Sequence, residues 1–401
     1  MDLRSGRPFW LVKNGLLETY PPLNRDLNCE VVIIGGGITG ALVAYTLLQQ
    51  GVDVVVLDKR DIGWGSTSAS TAMLQYEIDT ELHELITFIG KERAVRSYCL
   101  GVEAIAALEA IAATLPVDCG FRRAPSIYAT RFQSHLKRLR AEYAARQAAG
   151  LAVQFVEQDA LQAQFGITAK AAIVSSCGAQ LDPYRFTYAL INCVQQQGGR
   201  VFDRTTVTAI EHKHNRVIVQ TDRDSLVQAQ KVVFATGYET KQYLSQYVVN
   251  LNSSFALISE PLTDDLAPQD YLLWETARPY FYMRSTADKR LILGGADVPF
   301  SDPKRRDRLI EEKTKQLLTL YERFYPDQPQ PEVAYAWAGV FGETEDGLAY
   351  IGETPEYPNA YFALGYGGNG ITYSMIAARI ITDMFLGKAN ADSALFRFGR
   401  S

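Results

Sequence analysis

The sequence E-V-V-I-I-G-G-G-I-T-G at residues 30–40 determines the fold that we expect for this chain. The four residues before its first glycine are apolar and β-branched, which is typical of a buried parallel strand. A glycine-rich turn follows, and residues 41–50 have the apolar spacing of a helix that ends at Gly51. Residues 52–58 form a second apolar strand, so the segment predicts one βαβ unit. The preceding residues 1–28 are expected to form an irregular arm.

Three glycines, Gly35, Gly37 and Gly40, lie where a dinucleotide-binding fingerprint has to lie, between a strand and a helix. They permit a tight turn, a close approach of the backbone to a pyrophosphate, and close packing of helix on strand. The helix N-terminus supplies free N–H groups for phosphates. Asp58 ends the second strand, where a carboxylate accepts hydrogen bonds from a ribose diol and repels a 2′-phosphate. The pattern predicts FAD or NAD, and the alternative is a glycine turn in an ordinary βαβ unit.

A second segment, G-W-G-S-T-S-A-S-T-A-M at residues 63–73, favours FAD over NAD. Its small residues would let a large planar ligand lie against the backbone. The hydroxyls of Ser66, Thr67 and Ser68 can donate hydrogen bonds to phosphate or ribose oxygens. The alternative is a loop rich in serine and threonine that binds no ligand.

Composition limits the classes of function. The chain has 401 residues, of which 47% are hydrophobic and 21% charged, as in a globular protein of two or three domains. The net charge of −5 argues against a nucleic-acid partner, and no apolar run reaches the length of a membrane span. The five cysteines form no C-x-x-C pair, so we expect reduced thiols and a cytoplasmic location. We predict no metal site, because metal-ligand spacing is missing around the four histidines, His83, His135, His212 and His214.

The order of the predicted elements indicates two domains, one inserted into the other. Residues 1–90, 165–240 and 335–401 are assigned to a discontinuous Rossmann-like domain that binds the dinucleotide. Residues 91–164 and 241–334 are assigned to an inserted substrate domain with a mixed or antiparallel sheet. The predicted fold class is therefore α/β plus α+β.

Six motifs follow one another from Cys29 to the last helix and cover most of the chain. They are V-I-I-G-G-G-I-T-G at 32–40, the acidic Asp58, G-x-G-S-T-S at 63–68, V-V-F-A-T-G at 232–237, W-A-G…D-G-x-x-x-I-G at 337–352 and G-Y-G-G-N-G-I at 365–371. In this order they resemble the D-amino-acid oxidase superfamily of FAD-dependent oxidoreductases, which also holds glycine, sarcosine and γ-glutamylputrescine oxidases.

The resemblance implies positions for FAD. Residues 235–237 are similar to the family's second dinucleotide motif. Val207 matches a position whose backbone meets the adenine. Met73 and Leu74 match the segment that reaches the isoalloxazine. The N-terminus of the last helix would face the flavin pyrimidine ring, where its dipole stabilises negative charge. The expected FAD-binding residues are Gly35, Gly37, Ile38, Thr39, Gly40, Asp58, Lys59, Gly65, Ser66, Thr67, Ser68, Met73, Leu74, Val207, Ala235, Thr236, Gly237, Gly339, Gly367, Gly368, Asn369, Gly370 and Ile371.

The chain departs from the family in two places. Sarcosine-oxidase-like members attach FAD through a cysteine in the C-terminal half, and this chain has no cysteine after Cys193. Dimethylglycine-dehydrogenase-like members attach it through a histidine in the segment that matches residues 63–73, and this segment has no histidine here. We therefore expect non-covalent FAD. The amino-acid oxidases carry a carboxylate-binding arginine at the position that Phe341 occupies here, so Phe341 argues against α-amino-acid substrates.

The resemblance also implies the reaction. A C–N bond of an amine or amino-acid-like substrate is oxidised by hydride transfer to flavin N5, the imine is hydrolysed, and O2 or another acceptor takes up the electrons. No acid–base residue is assigned, because none is needed if the amine arrives deprotonated. Two alternatives stay open at this point, an NAD-linked dehydrogenase of unknown substrate and a flavin-binding subunit without turnover.

The substrate pocket has candidates in the segment Y-F-Y-M-R at residues 280–284. Strand alternation would place Tyr280, Tyr282 and Arg284 on one face. Arg284 would either bind a substrate carboxylate through two hydrogen bonds or form a surface salt bridge beside core tyrosines. The other candidates are Gln75, Phe341 and Tyr366.

Overall fold

The computed structural model describes residues 4–244, 249–263 and 270–400, which form twenty strands and twelve α-helices. The strands are β1 (Arg4–Gly6), β2 (Leu27–Ile34), β3 (Val54–Leu57), β4 (Met73–Leu74), β5 (Arg122–Arg123), β6 (Ser126–Thr130), β7 (Val153–Glu157), β8 (Ala171–Ser175), β9 (Ala179–Gln180), β10 (Arg200–Phe202), β11 (Val207–His212), β12 (Val217–Thr221), β13 (Leu226–Phe234), β14 (Asn250–Ser259), β15 (Leu272–Glu275), β16 (Phe281–Ser285), β17 (Leu291–Pro299), β18 (Val333–Glu343), β19 (Tyr350–Gly352) and β20 (Ala360–Leu364).

The helices alternate with these strands in the N-terminal third and are more widely spaced after it. They are α1 (Phe9–Asn14), α2 (Ile38–Leu48), α3 (Ser66–Ala69), α4 (Leu82–Ile89), α5 (Lys91–Thr114), α6 (Leu136–Ala148), α7 (Gln158–Phe165), α8 (Pro183–Gln196), α9 (Pro303–Arg308), α10 (Ile310–Phe324), α11 (Gly370–Phe385) and α12 (Ser393–Phe396).

The first sheet is the Rossmann-like core that the glycine motif predicts. Its central order is β10-β3-β2-β13-β20, and all of these neighbours run parallel. β12 and β11 continue from β13 as an antiparallel ribbon. The helices α2, α8 and α11 pack beside one another against the parallel strands. The βαβ unit of β2, α2 and β3 confirms the interpretation of the opening motif.

The second sheet has nine strands in the order β1-β18-β14-β17-β16-β15-β6-β8-β7. Neighbours pair antiparallel except β15 with β6, so the expected mixed sheet is confirmed. Helix α10 covers one face of this sheet, where Leu317, Tyr321 and Phe324 join an apolar cluster with Phe281 and Leu293. The opposite face is left for the cavity described below.

Four elements contradict the expected domain assignment. The first is β1, which joins the nine-stranded sheet although residues 1–90 were assigned to the Rossmann-like domain. β8 and β18 also belong to the nine-stranded sheet. Residues 165–240 and 335–401, which contain most of these two strands, were assigned to the Rossmann-like domain. α5 packs against α4 and α11 beside the Rossmann-like core, although residues 91–164 were assigned to the substrate domain. Local composition does not reveal which sheet a strand joins, because long-range packing decides it.

The N-terminal arm is more regular than expected. β1 pairs antiparallel with β18, and α1 follows it. The Arg4 Nε donates to the carbonyl oxygen of Trp64 at 2.8 Å, and the Trp10 Nε1 donates to that of Ser70 at 2.7 Å. The arm therefore holds the serine-rich segment against the rest of the molecule.

Within the described residues one helix, α5, is long and apolar enough to cross a membrane by length and composition alone. Its buried residues Tyr98, Ile105 and Leu108 join the main apolar core. The Nε of Arg96 on the same helix donates to Asp392 Oδ1 at 2.7 Å. Core helices of folded domains also meet this criterion of length and composition.

Candidate active site

A long cavity lies between the two sheets. At one end it is lined by the carboxyl ends of β2, β3 and β13, which is where open parallel sheets bind their ligands. At the other end it is lined by the uncovered face of the nine-stranded sheet. We call these parts the ribose end and the substrate half.

Asp58 lies at the ribose end, directly after β3. Its Oδ2 accepts the Gly36 N–H at 2.7 Å, and its Oδ1 accepts the Arg60 N–H at 2.8 Å. Burial raises the pKa of Asp58 to about 6, and the two backbone donors act against that rise. Each oxygen keeps a lone pair for a further donor such as a ribose hydroxyl.

Glu239, which sequence reasoning missed, lies at the same end. Its carboxylate accepts from Lys59 Nζ at 2.8 Å and from Arg60 Nη2 at 3.2 Å. Burial acts to raise the pKa of Glu239, but these hydrogen bonds hold it down at about 2. Its position two residues after the A-T-G motif at 235–237 was the available signal.

The N-terminus of α2 opens onto the cavity without a side-chain cap. The Thr67 Oγ1 accepts the Ile38 N–H at 3.0 Å. A Cβ at Gly37 would lie 3.1 Å from the same oxygen, a tight contact that glycine avoids. The arrangement leaves backbone donors available for the phosphates of a dinucleotide.

The N-terminus of α11 reaches the middle of the cavity, also without a side-chain cap. The Nδ2 of its N-cap residue Asn369 donates instead to the carbonyl oxygens of Gln75 and Glu77, at 3.0 and 2.6 Å. The N–H of Gly368 donates to Asp79 Oδ2 at 2.9 Å. The helix start is thereby fixed to the segment that follows β4.

These residues fit a bound dinucleotide flavin. Two uncapped helix N-termini face the cavity, and the buried Ser66 Oγ, which lines it, has no hydrogen-bond partner among the described residues. Of the expected FAD-binding residues, all line the cavity except Gly40, Ser68 and Leu74.

Each of the three exceptions has a physical reason. A Cβ at Gly40 would lie 1.8 Å from the Gly35 oxygen, so Gly40 serves the packing of helix on strand. The Ser68 Oγ donates to the backbone oxygen of Gly65, the N-cap residue of α3, at 3.0 Å. Leu74 is fully buried and follows Met73 on a strand, so the two side chains point to opposite faces.

The substrate half contains most of the expected pocket residues. Gln75, Tyr280, Tyr282, Phe341 and Tyr366 all line it. Residues that sequence reasoning missed also line it. Five of them, each from a different segment of the chain, are Asp79, Tyr238, Trp274, Asp297 and Glu343.

Arg284 does not line the cavity, and both interpretations of it are wrong. It is 3% exposed, and its Nε donates to the Thr71 oxygen at 2.6 Å. Its Nη1 donates to Gln180 Oε1 at 2.8 Å, and its guanidinium lies 5.3 Å from the ring centre of Trp10. Burial lowers the pKa of Arg284 to about 9. Arg284 therefore ties the N-terminal arm to the segment that contains Thr71.

Cationic side chains are unevenly distributed along the cavity. Among the described residues that line it, Lys59 and Arg60 are the cations, and both are at the ribose end. Arg278 lies at the exposed rim, where its Nη2 donates to the backbone oxygen of Asp79 at 2.5 Å. The substrate half is thus lined by aromatic rings and carboxylates without a lining cation.

The fold and cavity together define a two-domain dinucleotide-dependent oxidoreductase. The sequence matches the family described as DAO, FAD dependent oxidoreductase, over residues 30–384, and the chain belongs to this family. It is an FAD-dependent oxidoreductase acting on amine or amino-acid-like substrates.

Individual relatives agree with the family. The chain is 24% identical over 384 residues to gamma-glutamylputrescine oxidoreductase of Escherichia coli, covering 92% of this chain and 86% of the relative. It is 25% identical to glycine oxidase of Geobacillus kaustophilus, covering 92% and 97%. The crystal structure of that glycine oxidase superposes with a TM-score of 0.80 at 21% identity, covering 94% and 99% of the two chains. L-proline dehydrogenase from P. horikoshii shares the fold, with a TM-score of 0.76, 18% identity and coverage of 93% and 97%.

We expect Asp58→Ala to weaken FAD binding by roughly 1–3 kcal/mol, the scale for losing hydrogen bonds to a charged acceptor. Asp58→Asn is expected to weaken FAD binding as well. Both carboxylate oxygens of Asp58 accept backbone N–H groups, and in the variant the amide NH2 would face one of these donors, Gly36 or Arg60. FAD titration of the apoprotein by fluorescence quenching measures both losses. Unchanged affinity in both variants would show that Asp58 is not the ribose ligand.

We expect Arg284→Met to destabilise the fold by roughly 1–3 kcal/mol, because it leaves buried carbonyl oxygens unsatisfied. Urea unfolding of the holoenzyme measures the loss, and Arg305→Met, on the exposed helix α9, is the control. The relative rates with acidic and uncharged amines are expected to stay unchanged. A selective rise in the half-saturating concentration of acidic amines would restore Arg284 as a carboxylate ligand.

Proposed function

We propose that this enzyme oxidises the C–N bond of amines that carry no carboxylate next to the reacting nitrogen, and that it holds FAD non-covalently. The observation that supports the substrate class is the lining of the substrate half. Phe341 faces it from β18, and no described residue that lines this half carries a positive charge. A carboxylate placed there would be buried without a cationic partner, which is strongly disfavoured.

FAD, when bound, supplies the hydride acceptor for this oxidation, and the imine product hydrolyses in water. The residues of the chain orient the amine and exclude water. The rings of Trp274 and Tyr280, with centres 6.0 Å apart, line the substrate half together with Tyr282. Aromatic faces attract cations and present an apolar surface, so this lining suits an alkyl chain that bears an amine.

The lining of the cavity also supports non-covalent FAD. Among the described residues that line it there is no cysteine or histidine, the two residue types expected from the family to attach the flavin. The electron acceptor, O2 or another oxidant, and a cytoplasmic location stay predictions. The two alternatives, an NAD-linked dehydrogenase and a subunit without turnover, lose their support because the family and the relatives are FAD-dependent enzymes.

We expect FAD to co-purify with the protein and to be released intact by acid or heat. After precipitation with trichloroacetic acid, the yellow colour should appear in the supernatant and migrate as FAD in chromatography. Flavin that stays with the precipitate would contradict non-covalent binding and would call for mapping the attached peptide.

We expect free glycine and D-alanine to reduce the flavin poorly and alkylamines or secondary amines to reduce it well. The difference should be at least about tenfold in the anaerobic bleaching rate, because an unpaired carboxylate loses a charged hydrogen bond. Stopped-flow absorbance of the holoenzyme measures it, and ethylamine provides a carboxylate-free match for D-alanine. Rapid bleaching by glycine or D-alanine would contradict the proposed substrate class.

A further inference from the structure

The register of the nine-stranded sheet places a row of β18 side chains in the substrate half. Trp337, Gly339, Phe341 and Glu343 are every second residue of the strand, and all four line the cavity. β18 pairs with β14 so that Asn252 lies opposite Phe341. The Nδ2 of Asn252 donates to Glu343 Oε2 at 2.7 Å, which holds this carboxylate in position.

A β-bulge in the neighbouring strand adds a second carboxylate. β14 and β17 pair Phe255 with Gly295 and Ser253 with Val298, so two residues of β17 lie opposite one residue of β14. One of the two is Ala296, with a φ of 54°. The other is Asp297, which the bulge turns into the cavity.

Asp297 has an unsatisfied carboxylate oxygen. Its Oδ1 is buried and has no hydrogen-bond partner among the described residues. Burial raises the pKa of Asp297 to about 7, and the charges of Glu343 and Asp79 add to the rise. The charge of Lys313 acts against this rise, but Lys313 does not line the cavity and its Nζ donates to Gln316 Oε1 at 3.0 Å. The lining of the substrate half therefore offers Asp297 no cationic partner.

Aromatic rings surround this pair of carboxylates. The Tyr282 ring lies across Gly294, where a Cβ would come within 2.2 Å of it, and Tyr282 OH lies 3.5 Å from Ser254 Oγ. Burial raises the pKa of Tyr282 to about 12, and the charge of Asp297 adds to the rise, which reflects their proximity. Phe341, the cross-strand partner of Asn252, also lines the cavity, so the lining is both acidic and aromatic.

We propose that Asp297 and Glu343 bind a second cationic group of the substrate, so that the enzyme acts on diamines or longer polyamines. This inference rests on the proposed function and names the substrate class within it. The Oδ1 atom of Asp297 is buried without a hydrogen-bond partner among the described residues, and Glu343 is half-buried beside it on the cavity wall. A buried carboxylate oxygen without a partner is costly, and a bound ammonium group would offset that cost while the rings contact its alkyl chain. One amine nitrogen would then lie at the flavin end of the substrate half and the other beside Asp297.

The first experiment compares 1,4-diaminobutane with 1-aminobutane, which differ by one ammonium group. Anaerobic flavin reduction of the holoenzyme gives the half-saturating concentration of each. We expect the half-saturating concentration of the diamine to be at least about tenfold lower, which is the scale of one charged hydrogen bond. We expect Asp297→Asn to remove this advantage. Glu312→Gln, an exposed carboxylate on α10, is the matched control and should keep the advantage. Equal half-saturating concentrations in the wild-type enzyme would overturn the inference and leave the proposed function standing.

The second experiment measures binding alone. Tetramethylammonium has no nitrogen lone pair and cannot be oxidised as an amine, so its calorimetric titration into the oxidised holoenzyme is independent of turnover. We expect binding that weakens at least about tenfold in both Asp297→Asn and Glu343→Gln. Flavin absorbance and the melting temperature show that each variant is folded. If no amine reduces the flavin but this binding pattern holds, the proposed function fails and the cation site stands. Binding that neither variant changes would overturn the site.

Discussion

The contact between the first turn of α2 and the end of β2 is the constraint on which the rest of the structure depends. A Cβ at Gly40 would lie 1.8 Å from the Gly35 carbonyl oxygen, so only glycine lets the helix start this close to the strand. The close start places the uncapped N-terminus of α2 at the carboxyl edge of the parallel sheet. Asp58 and Thr67 reach the same edge through hydrogen bonds to the backbone of this turn.

The cavity depends equally on how its second side is held. Segment 66–73 carries cavity-lining residues but has little regular structure of its own, and it is fixed by three separate elements. Trp10 donates to the Ser70 oxygen, Trp337 Nε1 donates to the Ala69 oxygen at 2.8 Å, and Arg284 donates to the Thr71 oxygen. A buried arginine that binds backbone carbonyls thus performs a structural task, although its sequence context suggested a substrate ligand.

The two ends of the cavity differ in charge, and this difference connects the fold to the chemistry. At the ribose end both cations, Lys59 and Arg60, form ion pairs with Glu239. In the substrate half a strand register and a bulge place Glu343 and Asp297 in the lining, together with aromatic rings. The proposed preference for cationic over anionic groups rests on this difference, because a buried charge is stable only when it is paired.

The sequence by itself determined the βαβ unit, the position of Asp58 directly after β3, the family and most of the cavity lining near the expected flavin. The βαβ unit depends on a short motif whose residues interact with neighbours in the chain, so its spacing is enough to predict it. The lining near the expected flavin was implied by the resemblance of six ordered motifs to the family. Only the tertiary structure decided that β8 and β18 join the nine-stranded sheet, that Arg284 turns away from the cavity, and that Asp297 and Glu343 lie in it. Those outcomes depend on strand pairing across long sequence separations and on a one-residue bulge, and a shift of one residue moves a side chain to the other face of a sheet.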